Sequence, residues 1–101
     1  MKLSNSVMAT AAVLAMFAAP AAADSARNLA AACANCHGTD GRSLGVIPSL
    51  AGQNKANLLQ LLREFRDGKK PATIMHQIAK GYTDAQLDAL SDYFSRQAAT
   101  R

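Results

Sequence analysis

Apolar positions along this chain form one unbroken run near the start and then three stripes of helical period. Residues 7–19 are almost wholly apolar, with Lys2 ahead of them and Ala21-Ala22-Ala23 behind, just before Asp24. A positive start, a short apolar core and an A-x-A pattern describe a secretory signal peptide over 1–23, cleaved before Asp24. A membrane anchor is the competing reading, but this run of 13 residues falls short of the roughly 20 that a spanning helix needs.

After residue 23 the spacing is that of helices. Asp24 or Ser25 can cap a short first helix in which Ala26, Leu29, Ala30 and Cys33 share a face. A second helix is expected over 54–67, with Asn54 as its cap, Leu58, Leu61, Leu62 and Phe65 at i, i+3, i+4, i+7, and Gly68 as its stop. Pro71 then breaks the chain, and residues 74–80 suit a short helical turn ended by Gly81. Thr83 and Gln86 match the T-x-x-Q capping box of a further helix carrying Leu87, Leu90, Tyr93 and Phe94. No alternating strand pattern of useful length interrupts them, so the expected fold is all-α, a single domain over 24–101. Residues 38–52 differ in kind, being rich in glycine, serine and threonine with Leu44, Val46, Ile47 and Leu50 scattered through them. They read as a structured loop whose apolar side chains need something to cover.

Composition narrows the possibilities. The formal charge is +4, falling to +3 once Lys2 leaves with the leader, and the basic residues are not densely clustered. That argues against a nucleic-acid binder. A domain of this length cannot bury a large core, and such chains commonly rely on a disulfide, a metal or a cofactor as well. The two cysteines, Cys33 and Cys36, lie in one motif, so no disulfide framework can join distant parts of the chain. The staple is local, or it is a cofactor.

Cys33-Ala34-Asn35-Cys36-His37 is C-x-x-C-H, the pattern for covalent attachment of a c-type haem. Each thiol can add to one haem vinyl group, and a single helical turn brings both sulfurs to one edge of the porphyrin while His37 points at the iron. A haemless C-x-x-C thiol oxidoreductase would call for a βαβ surrounding, which this helical pattern does not provide. A structural zinc site would want four ligands, and beyond the cysteines only His37 and His76 are at hand. With His37 on one face of the iron, the sixth ligand must come from later in the chain. Met75 is the one methionine outside 1–23, and it follows the Pro71 break in a stretch between two helices. His76 next to it is the competitor, and a bis-histidine iron stays open beside a His/Met pair. Methionine would raise the reduction potential, and iron closed on both faces passes electrons rather than binding a substrate.

Together, "CANCHGTDGRS", "IPSLAGQ" and "IMHQIAKGYTD" resemble the bacterial class I c-type cytochromes over essentially the whole of residues 24–101. The resemblance implies three to five helices around one covalently bound haem c, with the first and last helices crossing. It also implies that Pro48 offers its carbonyl to Nδ1 of the axial His37, and that Leu44, Ile47, Leu50, Leu61, Ile74 and Ile78 line the haem pocket. Arg42, Gln53, Lys69, Lys70 and Lys80 become candidates for the haem rim. "PSLAGQ", "FRDGKKPATIM" and "IAKGYTD" are most similar to the haem subunit of flavocytochrome c sulfide dehydrogenases, in which a flavoprotein oxidises sulfide and the cytochrome takes the electrons onward. Related dihaem cytochromes share the pattern, but this chain has one C-x-x-C-H. The implied function is periplasmic one-electron transfer, with Cys33, Cys36, His37 and Met75 holding the haem. Such a chain is not an enzyme by itself, and its partner is a sulfide-oxidising flavoprotein or another periplasmic redox protein. It has no membrane span once the leader is removed. The alternative within the class is a free, diffusible monohaem shuttle between respiratory or photosynthetic complexes.

Overall fold

The computed structural model describes residues 19–100, and among them every regular element is helical. Five α-helices follow in order: α1 (Ala19–Ala30), α2 (Ala34–His37), α3 (Lys55–Arg66), α4 (Met75–Ala79) and α5 (Asp84–Ser95), with short 3₁₀ turns at Ala31–Cys33 and Thr39–Gly41. The expected signal peptide lies mainly on residues 1–18, outside the described residues.

The first helix starts earlier than the capping pattern implies. Asp24 and Ser25 lie inside α1 rather than at its start. The reason is propensity: Ala19 and Ala21-Ala22-Ala23 are the strongest helix formers, and Pro20 is tolerated in a first turn where its missing N–H has no partner to lose.

The later boundaries follow the expected signals. Asn54 caps α3 by accepting the Asn57 N–H at 3.1 Å. Its C-terminus closes as a Schellman turn, with Lys69 N–H on the Glu64 carbonyl at 2.8 Å and Gly68 N–H on that of Phe65 at 3.2 Å. Gly68 supplies the left-handed φ of +75° that this turn requires. At α5 the capping box is complete: Thr83 Oγ1 accepts the Gln86 N–H at 3.1 Å, and Gln86 Oε1 accepts the Thr83 N–H at 2.9 Å.

Helix α5 is the hub, packing on both α1 and α3, while α4 rests on α3. Its stripe supplies three large buried side chains: Leu87, Leu90 and Phe94 are 0 %, 2 % and 4 % exposed. Each contributes about 1.5–3 kcal/mol by leaving water, so the α1–α5–α3 contact dominates stability. Ala30 and Leu58 complete this core, with Leu29, Cys33, Leu50, Leu62, Tyr82 and Tyr93 against it. Leu61 and Phe65, which share the expected α3 stripe, are half-buried outside that cluster.

Candidate functional site

The cysteine motif is built into the continuation of α1. The helix tightens through Ala31–Cys33 and resumes at Ala34–His37, so Cys33 and Cys36 stand one turn apart on nearly continuous helical backbone. Alanines around them make this possible, since they cost little to hold in helical geometry. Both thiols are free; Cys33 is half-buried against the core and Cys36 is exposed. Burial pushes the Cys33 thiol above its ordinary pKa, which keeps it protonated at neutral pH. At Gly38 the backbone adopts φ +85° and ψ 167°, a conformation reserved for glycine, and the helix ends at His37.

His37 Nδ1–H donates to the Pro48 carbonyl at 2.6 Å. A carbonyl can only accept, so Nδ1 carries the proton and a neutral ring keeps its lone pair on Nε2. The loop bearing Pro48 is pinched at its base. Gly41 O accepts both Leu50 N–H (2.8 Å) and Ala51 N–H (3.2 Å), and Ser43 N–H reaches Ser49 Oγ at 2.9 Å. Gln53 Nε2 donates to the Ser49 carbonyl, and Gly52 N–H to that of Phe94 at 2.9 Å, tying the far side of the loop to α5.

Met75 opens α4 instead of lying in the stretch between helices, and it is half-buried. His76, also half-buried, has a buried Nδ1 with no hydrogen-bond partner among the described residues. The motif and Met75 therefore stand on different arms of the fold, α1–α2 and α3–α4, which α5 joins.

Of the six side chains expected around a haem, Leu50 packs on the core while Leu61 and Ile78 are half-buried. Leu44, Ile47 and Ile74 are exposed, as is Val46, at 93 %, 40 %, 54 % and 97 % in that order. These large apolar side chains flank Pro48 and Met75 in sequence, and the protein itself covers none of them well. Two of the rim candidates have other employment. Arg42 donates from Nη1 to the Ala98 carbonyl at 3.1 Å and pairs through Nη2 with Asp40 at 3.3 Å, and Gln53 is spent on Ser49. Lys69, Lys70 and Lys80 are exposed and join no ion pair among the described residues.

Asp40 was not singled out by pattern, yet it anchors the turn after His37. It is the one non-glycine residue with positive φ (+53°) among the described residues. Tyr93 Oη donates to its Oδ1 at 2.6 Å across 53 positions of sequence. The Asp40-Gly41 dipeptide is a turn signal, but nothing local names its partner. Burial, reinforced by the bond to Asp40, raises the Tyr93 hydroxyl pKa and keeps it a donor.

Among the described residues no three His, Cys, Asp or Glu side chains converge as a metal site, and no strand is present to supply a βαβ surrounding.

Comparison with known proteins places this arrangement in context. Residues 20–94 match the family model described as Cytochrome C oxidase, cbb3-type, subunit III. The chain is similar to the cytochrome subunit of sulfide dehydrogenase from Chlorobaculum tepidum, 41 % identical over 66 residues, 65 % of this chain and 60 % of that protein. It is also similar to cytochrome c-553 of Nitratidesulfovibrio vulgaris, 32 % identical over 95 residues, 89 % of this chain and 93 % of that one. Among solved structures, the cytochrome c4 of Acidithiobacillus ferrooxidans superposes with a TM-score of 0.68 at 36 % identity, over 74 % of this chain and 49 % of that one. The chain thus spans less than two thirds of the sulfide dehydrogenase subunit and about half of the cytochrome c4 chain.

Proposed function

The chain belongs to the cytochrome c family, whose cofactor is covalently bound haem c, and on that premise we propose that it is an exported, periplasmic one-electron carrier, the haem subunit of a sulfide-oxidising flavoprotein. The residues present fit the group. Two free thiols one helical turn apart suit attachment at two points along one porphyrin edge. The observation that carries the assignment is the His37–Pro48 hydrogen bond, which leaves Nε2 as the available donor. Haem supplies a one-electron iron couple when bound.

In this reading Cys33 and Cys36 would hold the haem through thioethers and His37 would hold its iron through Nε2. The Pro48 carbonyl, by drawing on the Nδ1 proton, fixes the ring and increases its basicity. Met75 sulfur would hold the iron from the other arm of the fold and would favour a higher potential than a nitrogen donor. Leu44, Val46, Ile47 and Ile74, exposed in the protein alone, cover apolar porphyrin and exclude water from it. Cleavage before Asp24 gives a mature chain whose N-terminus mass spectrometry should read as Asp24.

Support for a sulfide-oxidising partner comes from the Chlorobaculum tepidum relative, a cytochrome subunit of sulfide dehydrogenase; that the partner carries flavin follows from the resemblance of "PSLAGQ", "FRDGKKPATIM" and "IAKGYTD". The test is affinity purification of the tagged holo-protein from periplasm, followed by addition of sulfide. A flavin-containing partner that reduces the haem on addition of sulfide is expected; a holo-protein that never retains a flavoprotein and stays oxidised overturns the partner. A diffusible carrier is the second reading, favoured by the near full-length match to cytochrome c-553. It would bury only a small, transient interface with each partner.

A further inference from the structure

We infer that Asp40 and Tyr93 form a positioning clamp through which helix α5 sets the His37–Pro48 hydrogen bond, and hence the donor strength of His37 Nε2. The inference rests on His37 being an axial ligand and goes beyond it, because Tyr93 and Asp40 act on the histidine only through backbone.

The geometry is a closed circuit. His37 leads through Gly38 into the Thr39–Gly41 turn; Gly41 O holds Leu50 and Ala51; Leu50 lies two residues from Pro48; and the Pro48 carbonyl returns to His37 Nδ1. Moving residues 40 and 41 therefore moves the acceptor relative to the donor. Asp40 is held where it does not rest by preference. Left-handed backbone costs a non-glycine residue roughly 1–2 kcal/mol, with aspartate among the more tolerant, so fastenings from outside the turn must hold it.

Both fastenings lead to α5 or the segment after it. Oδ1 takes the Tyr93 hydroxyl at 2.6 Å, a short bond to a charged acceptor. Oδ2 takes Arg42 Nη2, whose guanidinium is tied in turn to the Ala98 carbonyl. Tyr93 has a firm base: its ring sits edge-on to Phe94, centroids 5.3 Å apart at 79°, and Phe94 is buried in the core. Gly41 lies directly against the Phe94 ring. The helix that organises the core thus reaches the turn at two adjacent residues.

Loosening the clamp lengthens a bond that is now short, at 2.6 Å. A weaker pull on Nδ1–H makes Nε2 a poorer donor to ferric iron, so the reduction potential rises. A residue that served stability alone would leave that potential where it is.

The test uses holo-protein variants read by redox titration and by solvent exchange of the His37 Nδ1 proton in NMR. Tyr93→Phe and Asp40→Ala should each raise the potential and speed that exchange, with the double variant adding little beyond the larger single effect. Asp40→Asn keeps one acceptor for Tyr93 and a side chain tolerant of positive φ but loses the Arg42 fastening, and should shift both readings less than Asp40→Ala. Thr83→Ala, which weakens α5 at its far end without touching the turn, is the stability control and should move neither reading. The clamp is overturned if Tyr93→Phe leaves potential and exchange unchanged, or if Thr83→Ala shifts them as much. Failure of the underlying ligand assignment looks different: His37→Ala would keep the wild-type low-spin spectrum.

Discussion

Replacing Gly38 with alanine tests the geometry at the foot of the site. Its backbone lies at φ +85°, ψ 167°, where only glycine is comfortable, and an alanine there bears about 1–3 kcal/mol of conformational strain. The new Cβ would fall 2.1 Å from the Arg42 carbonyl oxygen and 2.6 Å from its carbon. Backbone cannot swing aside as a side chain can. Reaching the 3.4 Å of ordinary contact requires a displacement of about 1.3 Å, enough to break the Arg42–Thr39 and Gly41–Gly38 backbone bonds, both 3.0 Å long. At about 0.5–1.5 kcal/mol each, these bring the total to about 2–6 kcal/mol, against a typical domain stability of about 5–15. Gly68→Ala is the comparison, because Gly68 has a similar φ of +75° but nothing within 4 Å of the added carbon. It should cost only about 1–2 kcal/mol. Guanidinium denaturation of both holo-proteins, followed by far-UV circular dichroism, measures the difference. If Gly38→Ala is no less stable than Gly68→Ala, the close approach of Arg42 to Gly38 does not constrain the fold and the reasoning is refuted.

Other outcomes follow from the same structure. Leu87→Ala removes a side chain that is 0 % exposed and should cost about 2–5 kcal/mol in denaturant titration; a smaller loss would mean the α5 core collapses around the gap. Thr83→Ala deletes half of the capping box and should cost about 1 kcal/mol in the same assay. The Arg66 guanidinium, hydrogen-bonded to Asp84, holds that carboxyl below its ordinary pKa. The resulting stability is present above the unfolded pKa of about 4 and is lost as pH falls through the folded value. A stability gap between wild type and Asp84→Asn should therefore be open at neutral pH and closed in strong acid; a gap independent of pH would exclude this pair as its source. In oxidised holo-protein, Met75→Ala should abolish the far-red methionine-to-iron absorption and His76→Ala should retain it, and a low-spin wild type that lacks this band would transfer the ligand role to His76.

Side chains whose consequences are local were legible without coordinates. The Leu87, Leu90, Phe94 stripe, the Thr83–Gln86 box, the Asn54 cap and the Gly68 stop each act within a few residues, where helical geometry leaves few options. C-x-x-C-H is legible for the same reason, since its spacing is one helical turn. The start of α1 was less so, because a capping residue competes there with a stretch of alanine whose propensity outweighs it.

The sequence by itself determined the helical class, the later helix ends, and a five-residue motif that sets two cysteines one helical turn apart ahead of a histidine. Only the tertiary structure decided where the long polar side chains go. Arg42 is a plausible rim residue in a one-dimensional reading, yet it is engaged by Asp40 and by the Ala98 carbonyl 56 positions away. Tyr93 belongs to an apolar stripe, yet its hydroxyl fastens the turn that follows His37. The reason is physical: apolar periodicity assigns a face, whereas a hydrogen bond needs its partner within about 3 Å, and which distant groups come that close is decided by how the helices cross.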